Sequence, residues 1–572
     1  KYGFLPAELE RAKSTIMNQA QRANSEKDKV PSGMLVQGYL NNYLEHEPIV
    51  GPENRYKFIK QVLPTITAKE INAVAAKMPP ATNAFALLQA PASMKSKLPS
   101  NSELLNDMVA ASKQVVKPYE EKAIAQNLME IGPAAGKIVK ETTNEKLGTT
   151  DITLNNGVTI TLKPTNFKND EIVMDAWRWG GWQRFPLEDK DNAKHAAEIV
   201  TEMGVRDMSP TDLEKFLSGK SAEAFPYIND YEEGIQGSSS VRDFETFLQL
   251  VNLYFTQPRK DETLFKSMVT KNKGTIPFMK ANPQVFYRDT LTKIVYNNSP
   301  WMSAVPTEEE FNNLNLNKAL DIYKQIYGNA DGMHFTFVGN IDPQKAKPLF
   351  EKYLGSLPAT PVQHMYKDNN VRPVKGIVEA NIKKGKEAKS VITVLWSGET
   401  EYNPDEALAM SALIDVLNIK VIEKLREELG SMYSGGLSGS IQKRPYSHYQ
   451  ISANIPTGPE SVNKLTTALF DIIRNAQQNG VEQKDLDKVK QTWITQHRVN
   501  MQNNDEWLND LSQAYIDQTN PERILTFEQR VNALTLKDLQ NAAQKYLNMN
   551  NYVKAVLYPE NADVPAGVKK TF

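Results

Sequence analysis

The sequence contains no cysteine and no long apolar run, and neither sign of charge predominates. Without cysteine the chain can form no disulfide bond, no thiolate zinc site and no cysteine nucleophile. No stretch of about 18 consecutive apolar residues is present, so no segment is predicted to span a membrane. The 67 basic residues are balanced by 68 acidic ones. This balance argues against a nucleic-acid partner, because such proteins carry a basic surplus or a basic stripe.

Several familiar catalytic motifs are also missing. The sequence has no phosphate-binding loop and no G-x-S-x-G nucleophile elbow. Its six histidines are scattered, and none has another histidine three or four residues away. Paired histidine ligands on one helix are therefore not predicted.

What the sequence does contain is a repeated pattern of a helix followed by a strand. Thr67–Pro91, Asn315–Gly339 and Thr535–Pro559 have equal lengths, and each reads as a capped helix leading into a short apolar strand. Upstream, Gly3–Lys13 resembles Gly480–Lys490, with glycine, leucine and lysine in register. Repetition on this scale predicts homologous domains in series.

Strand-rich segments precede two of these copies but not the first. Residues 157–181 and 388–400 each read as strands followed by a long amphipathic helix. In the second, Asn403 is placed to cap the helix and Pro404 stands in its first turn. The pattern predicts α+β domains, each with a mostly antiparallel sheet packed by helices on one face.

These patterns predict four segments. Residues 1–92 are expected to form the back half of a truncated domain, since the strand-rich segment that precedes the last copy of the repeat does not precede the first. The chain also opens with neither a start methionine nor an apolar signal core, as expected of a processed or truncated product. Residues 93–148 form a polar linker with one short helix and no strand pattern. Residues 149–370 and 371–572 form two complete domains.

Residues 194–204, KHAAEIVTEMG, carry the one notable histidine motif. His195 and Glu198 stand as in H-x-x-E-H, a helix in which two histidines hold zinc while the glutamate reaches the bound water. Ile199 takes the place of the second histidine and leaves two ligands at most. A packed helix residue is therefore expected here rather than a metal site.

A second candidate is LREELGSMYSGGLSGS, residues 425–440. Arg426 stands at the end of the long helix, Gly430 can terminate that helix, and Tyr433 begins a strand rich in glycine and serine. A guanidinium and a phenol that converge on a cleft can hold a peptide carbonyl and stabilise an oxyanion. Alternatively, the arginine bonds helix-end carbonyls and the tyrosine packs on the sheet. The residues alone favour this second, structural interpretation.

Together these features resemble the pitrilysin/insulysin family of zinc metallopeptidases, which carry the H-x-x-E-H motif, and in particular the bacterial periplasmic-type zinc proteases. The resemblance covers essentially the whole chain and implies half of a clamshell: the back of the second domain, the linker between halves, and the third and fourth domains. HAAEIVTEMG is similar to the family's zinc helix, so His195, Glu198 and Ile199 form a degenerate, non-functional motif in an inactive third domain. In related peptidases an acidic ligand follows further along, whereas residues 263–288 contain no acid.

The resemblance further implies that Arg426 and Tyr433 bind substrate and stabilise the oxyanion. It implies a zinc metalloendopeptidase whose zinc site lies in an absent N-terminal half, so that this part binds no metal and is inactive alone. The implied partners are a peptide or unfolded polypeptide and that N-terminal half, in the bacterial periplasm or cell envelope. The alternative is a non-catalytic peptide-binding or partner subunit of the same fold.

Overall fold

A computed structural model describes residues 2–78, 85–90, 92–122, 125–432, 434–564 and 566–571. The chain begins with a helical segment, residues 2–113, and continues into two larger units, residues 138–357 (the middle unit) and 377–571 (the last unit). The helical segment contains α1 (Pro6–Ser25), α2 (Ser32–Glu45), α3 (Pro52–Val62), α4 (Ala68–Ala75) and α5 (Asn101–Lys113).

The two larger units are both sheet-and-helix structures. The middle unit contains β1 (Ile138–Asn144), β2 (Thr149–Leu154), β3 (Thr159–Pro164), β4 (Ile172–Trp179), α6 (Lys190–Met203), α7 (Pro210–Phe216), β5 (Ala222–Ile228), β6 (Glu232–Ser239), α8 (Phe244–Thr256), α9 (Glu262–Ala281), α10 (Pro283–Val295), α11 (Glu308–Asn312), α12 (Leu316–Tyr327), β7 (His334–Gly339) and α13 (Pro343–Tyr353). The last unit contains β8 (Ile377–Lys383), β9 (Ser390–Glu399), α14 (Pro404–Val421), β10 (Gly436–Gln442), β11 (His448–Thr457), α15 (Val462–Asn479), α16 (Gln483–Asn500), α17 (Asn504–Ile516), α18 (Phe527–Ala533), α19 (Leu536–Tyr546), β12 (Tyr552–Tyr558) and β13 (Gly567–Thr571).

The sheets of the two units share the order of five strands. The middle unit has seven strands in the order β1-β2-β3-β7-β4-β6-β5, and the last unit has six in the order β10-β11-β9-β12-β8-β13. In each sheet one pair of described strands is parallel, β3 with β7 and β8 with β12, and the remaining pairs are antiparallel. Read from opposite ends, five strands correspond in order: β3, β7, β4, β6 and β5 match β8, β12, β9, β11 and β10. The strands at the other edge, β1 and β2 in one sheet and β13 in the other, come from different places in the chain. The predicted α+β fold with repeated, mostly antiparallel sheets is confirmed.

The alternation of side chains along β4 shows how the middle unit builds its core. Ile172, Met174 and Ala176 point into the main cluster, which they share with α6, α8 and α12. Val173 belongs to a separate cluster on the opposite face of the sheet. One face of the sheet therefore carries the unit's own helices, as the sequence predicts.

The other face of each sheet is covered by a helix from the opposite unit, which the sequence does not predict. Trp507, Leu508 and Leu511 of α17 pack with Val173 and Val338 of the middle unit. In the reverse direction, Tyr287 of α10 packs on the last unit's sheet, and its hydroxyl donates to the carbonyl of Ala555 at 2.9 Å. The two units thus exchange one helix each.

Two segments differ from the sequence interpretation. Residues 138–144, assigned to the linker, form the edge strand β1. Five of its seven residues are exposed, so the strand lacks the apolar alternation that sequence reading relies on. The strand expected before Pro91 is not present in its described part, residues 85–90, where Phe85 is 90% and Leu87 is 82% exposed. A strand needs a neighbour for its backbone hydrogen bonds, and no described strand lies beside this segment.

The helical segment contains a helix with an uncovered apolar surface. α2 has no buried residue, and its large apolar side chains that are at least half exposed are Met34, Val36, Tyr39, Tyr43 and Leu44. α1, by contrast, is attached to the middle unit, where Asn18 Nδ2 donates to Ser221 Oγ at 2.9 Å. None of the described helices is long and apolar enough to cross a membrane.

Candidate functional site

The degenerate zinc motif lies on the face of α6 that packs into the middle unit. His195 is 8% exposed and Ile199 is fully buried. The two positions share one helix face because they are four residues apart. Ile199 contributes to the apolar core at the position where a second metal-ligating histidine would stand.

Both ring nitrogens of His195 face carboxylates. Nδ1 lies 2.6 Å from Glu198 Oε2, and Nε2 lies 2.7 Å from Glu310 Oε1. The same oxygen of Glu310 accepts a hydrogen bond from Lys194 Nζ at 2.9 Å. The ring also packs on Phe311, with the ring centroids 5.1 Å apart. The result is a closed network of two cations and two carboxylates.

The electrostatics of this network favour a protonated histidine. Burial by itself lowers the pKa of His195, but the hydrogen bonds and charges of Glu198 and Glu310 outweigh burial and raise the pKa to about 9. Burial likewise raises the pKa of Glu310, and its bonds to His195 and Lys194 reverse that effect and lower the pKa to about 2. His195 is therefore an imidazolium at neutral pH, with both nitrogens donating.

Two members of this network cannot be found from the motif. Asn272 lies within the acid-free stretch, and its Nδ2 donates to Glu198 Oε1 at 3.0 Å. It is an amide where a metal site would need a carboxylate. Glu310, on the short helix α11, is brought to His195 by packing alone and carries no motif signal.

The residues around His195 do not fit zinc. A metal ligand must offer a lone pair, and both nitrogens of His195 are engaged with carboxylate oxygens. No group of three or more histidine, aspartate or glutamate side chains in the described part of the chain is arranged to hold a metal ion. The described contacts of His195 thus form an ion-pair network.

Arg426, the other candidate, lies in a different unit and in a different setting. α14 continues into a π-helical turn, Ile422–Glu428, which contains Arg426. Its side chain is exposed and has no hydrogen-bond or ion-pair partner among the described residues. Gly430 adopts a φ of 59° and donates its backbone N–H to the Arg426 carbonyl at 3.1 Å. The helix-end carbonyl is thus satisfied by backbone, and the guanidinium is left to solvent.

The loop after this turn is fastened at both ends. The carbonyl of Ser431 accepts a hydrogen bond from Thr457 Oγ1 at 2.7 Å. The side chain of Asn418 bonds the backbone N–H of Leu437 at 2.6 Å and its carbonyl at 2.9 Å. Tyr433, predicted to act with Arg426, lies outside the described residues. The loop leads into β10, an edge strand of its sheet.

A repeated sheet-and-helix unit with an incomplete H-x-x-E-H helix resembles the domains of metallopeptidases of the pitrilysin/insulysin type. Residues 313–492, which run from the end of the middle unit through most of the last unit, match the Peptidase M16 inactive domain. The resemblance predicted from the sequence is confirmed.

Individual relatives extend this match. A zinc protease PQQL-like protein of Arabidopsis thaliana is 23% identical over 90% of this chain and 53% of its own length. The structure of the periplasmic protease PqqL of Escherichia coli has a TM-score of 0.69 at 17% identity, covering 97% of this chain and 61% of its own. The ferredoxin protease FusC, solved in complex with Arabidopsis ferredoxin, has a TM-score of 0.69 at 15% identity, covering 97% of this chain and 62% of its own. The chain thus spans between half and two thirds of these proteins.

Proposed function

We propose that this chain is the C-terminal, substrate-binding part of a zinc metalloendopeptidase whose zinc helix belongs to an N-terminal half. In this assignment residues 1–92 are the back of the second domain, 93–148 the linker, 149–370 the inactive third domain and 371–572 the fourth. The bound zinc would supply an activated water. The periplasm or cell envelope is the proposed compartment, as for the E. coli protease.

The observation that carries the proposal is the uncommitted guanidinium of Arg426. An arginine kept for structure would bond the helix-end carbonyls, whereas a backbone N–H bonds the Arg426 carbonyl and the side chain faces solvent. Arg426 would donate to a substrate carbonyl, and Tyr433 would add a second donor. Both would stabilise the oxyanion that develops as the peptide bond is attacked.

The uncovered surface of α2 supports a second half. In both complete units the helix in the corresponding position, α10 or α17, covers the sheet face of the other unit. α2 occupies that position in the first copy of the repeat and has no buried residue. A sheet in the proposed N-terminal half would bury the apolar side chains of α2, just as Val173 and Val338 of the middle unit's sheet bury Trp507 of α17.

The proposed substrates are peptides or unfolded segments of proteins. The relative solved with ferredoxin is a protease of a protein substrate. The 67 basic residues of this chain are balanced by 68 acidic ones, so its composition does not favour nucleic acid. An extended peptide can add to a sheet edge through its backbone.

Cleavage of a quenched peptide tests the proposal, measured on this chain alone and on the complete protein that joins it to the zinc-binding half. We expect cleavage only in the complete protein. There, Arg426→Ala should lower kcat/KM by about 100-fold or more, the size of one lost oxyanion donor. Arg426→Lys should restore little, since lysine lacks the guanidinium fork. Tyr433→Phe should give a smaller loss.

Lys424→Ala is the matched control, because Lys424 lies in the same π-helical turn but pairs with Glu428 at 2.5 Å. Its activity should stay within about twofold of the unaltered protein. Equal losses in Arg426→Ala and Lys424→Ala would contradict the assigned role. Peptide binding without cleavage by the complete protein would favour the alternative, a non-catalytic binding subunit.

A further inference from the structure

A cavity of about 730 Å³ lies where the last unit meets the middle unit's sheet. It occupies the sheet face opposite α6, because its lining residue Trp177 alternates with the core residues Met174 and Ala176 along β4. Tyr515 at the end of α17 and Gln518 beyond it form the other wall. The volume is in the range of small-ligand sites, which often lie between domains.

One part of this cavity is lined by aromatic rings that contact one another. The ring centroids of Trp177 lie 5.3 Å from Trp179 and 5.7 Å from Tyr515, both edge to face. Tyr515 stacks on His334 with centroids 3.5 Å apart. Thr159 Oγ1 and His334 Nδ1 share a hydrogen bond of 2.8 Å. Contacts among these rings therefore hold them in place without a bound ligand.

The charges on the lining are negative. Asp151 and Asp331 both line the cavity. The carboxylate of Asp151 accepts a hydrogen bond from Thr161 at 2.7 Å and has no ion-pair partner among the described residues. Among the described residues the one ion-pair contact of the Asp331 carboxylate is with His364 at 3.4 Å. Burial followed by the charge of Arg178 lowers the pKa of His364 to about 4, so this histidine is neutral at pH 7.

The single lysine or arginine among the described lining residues is already engaged. Arg178 is 2% exposed and donates to Glu233 Oε1 at 2.9 Å and to the carbonyls of Asn329 and Asp331. Trp177 is 3% exposed, and its indole N–H has no acceptor among the described residues. The lining therefore offers the partly exposed ring of Tyr515, two carboxylates without a lysine or arginine ion-pair partner among the described residues, and one unpaired indole N–H.

We propose that this cavity binds a guanidinium or ammonium group, presented by an arginine or lysine side chain of a polypeptide. Aromatic faces and carboxylates attract such a cation, and a neighbouring peptide carbonyl would accept the Trp177 N–H. The protein already makes this contact beside the cavity, where the guanidinium of Arg444 lies 4.0 Å from the ring centre of Trp179. The site lies outside the proposed catalytic region and does not depend on zinc.

Calorimetric titration of this chain tests the site. Three probes are used: the peptide Ac-Gly-Arg-Gly-amide, the same peptide with neutral citrulline in place of arginine, and ethylguanidinium alone. We expect the arginine peptide to bind about tenfold or more tightly than the citrulline peptide. Ethylguanidinium binding as tightly as the peptide would support the cation site and assign it to a small organic cation.

Two variants locate the binding. Asp151→Asn and Asp331→Asn should each weaken arginine-peptide binding about tenfold. The Asp331 carboxylate also accepts the backbone N–H of Val362, so Asp331→Asn could disturb the fold. In that case Asp151→Asn alone tests the site. Glu223→Gln is the control, because Glu223 lies on the edge strand β5, outside this cavity. Equal binding of the citrulline peptide, undiminished binding by Asp151→Asn, or no binding at millimolar peptide would overturn the proposal.

Discussion

His195 shows how one buried residue can tie stability to pH. Its ordinary pKa is 6.5, and its pKa in the folded chain is about 9, after the carboxylates of Glu198 and Glu310 outweigh burial. A raised pKa means that the folded state binds the proton more tightly than the unfolded state. The stabilisation is therefore complete below about pH 6.5 and is lost as the pH rises to about 9.

We expect His195→Gln to lower the free energy of unfolding by on the order of 3 kcal/mol at pH 6 and by much less at pH 9. Urea unfolding of both proteins at the two pH values measures the difference. His46 is exposed, so His46→Gln provides the control variant. An equal loss at pH 6 and pH 9 would contradict an imidazolium at this position.

Restoring the motif by Ile199→His should not create a zinc site. Ile199 is fully buried in the core, and both nitrogens of His195 are held by carboxylates. The new imidazole would replace apolar packing without a partner, at a cost of about 2–4 kcal/mol. Thermal unfolding and zinc titration measure both effects. Stoichiometric zinc binding with unchanged stability would show that the network rearranges around a metal.

The sequence shows that the H-x-x-E-H spacing is incomplete at Ile199, but it does not show which residues surround His195. His195, Glu198 and Ile199 follow from the motif because their spacing on a helix is fixed. Glu310 and Asn272 approach through folds of the chain over more than a hundred and over seventy residues, as their hydrogen bonds show. Contacts of this kind depend on packing, which no local spacing encodes.

At the scale of elements, α2 and α17 occupy matching places in the repeat but differ in burial. α17 buries six residues and α2 none. Helices without tertiary packing are marginal in water. In this chain alone we expect the amides of α2 to exchange with deuterium much faster than those of α17, measured by mass spectrometry. The proposed zinc-binding half should slow exchange in α2, whereas equal protection of both helices in this chain would contradict the uncovered surface.

Capping signals made several elements predictable. Thr67 and Thr535 form the expected capping boxes with Glu70 and Asp538, each two short bonds between side chain and backbone. Asn403 caps α14 as expected. The exposed edge strand β1 and the π-helical turn at 422–428 escaped prediction, because neither has an apolar period that distinguishes it from a loop or an ordinary helix end.

For the whole molecule, the exchanged helices should couple the unfolding of the two units. Trp507 of α17 is 6% exposed, lies beneath Lys163 Nζ at 4.3 Å and packs with Leu147 and Val173. Trp507→Ala should cost about 3–5 kcal/mol. By calorimetry we expect the unaltered chain to unfold in one transition and the Trp507→Ala variant to unfold in two.

Trp493→Ala is the control for that experiment. Its indole N–H donates to Asp415 at 2.7 Å within the last unit, so its loss should destabilise that unit without separating it from the middle one. Separate transitions in both variants, or in neither, would show that α17 does not couple the units.

The exchange of helices has a consequence for synthesis on the ribosome. The middle unit's last strand, β7, ends at Gly339, but the helix that covers its sheet begins only at Asn504. α10 stands in the reverse position, since it is made before β8, the first strand of the sheet that receives it. During translation one face of the first sheet therefore stays uncovered until α17 is made. Over the same period α10 lacks the sheet on which it packs. Neither unit is finished until the last one has emerged.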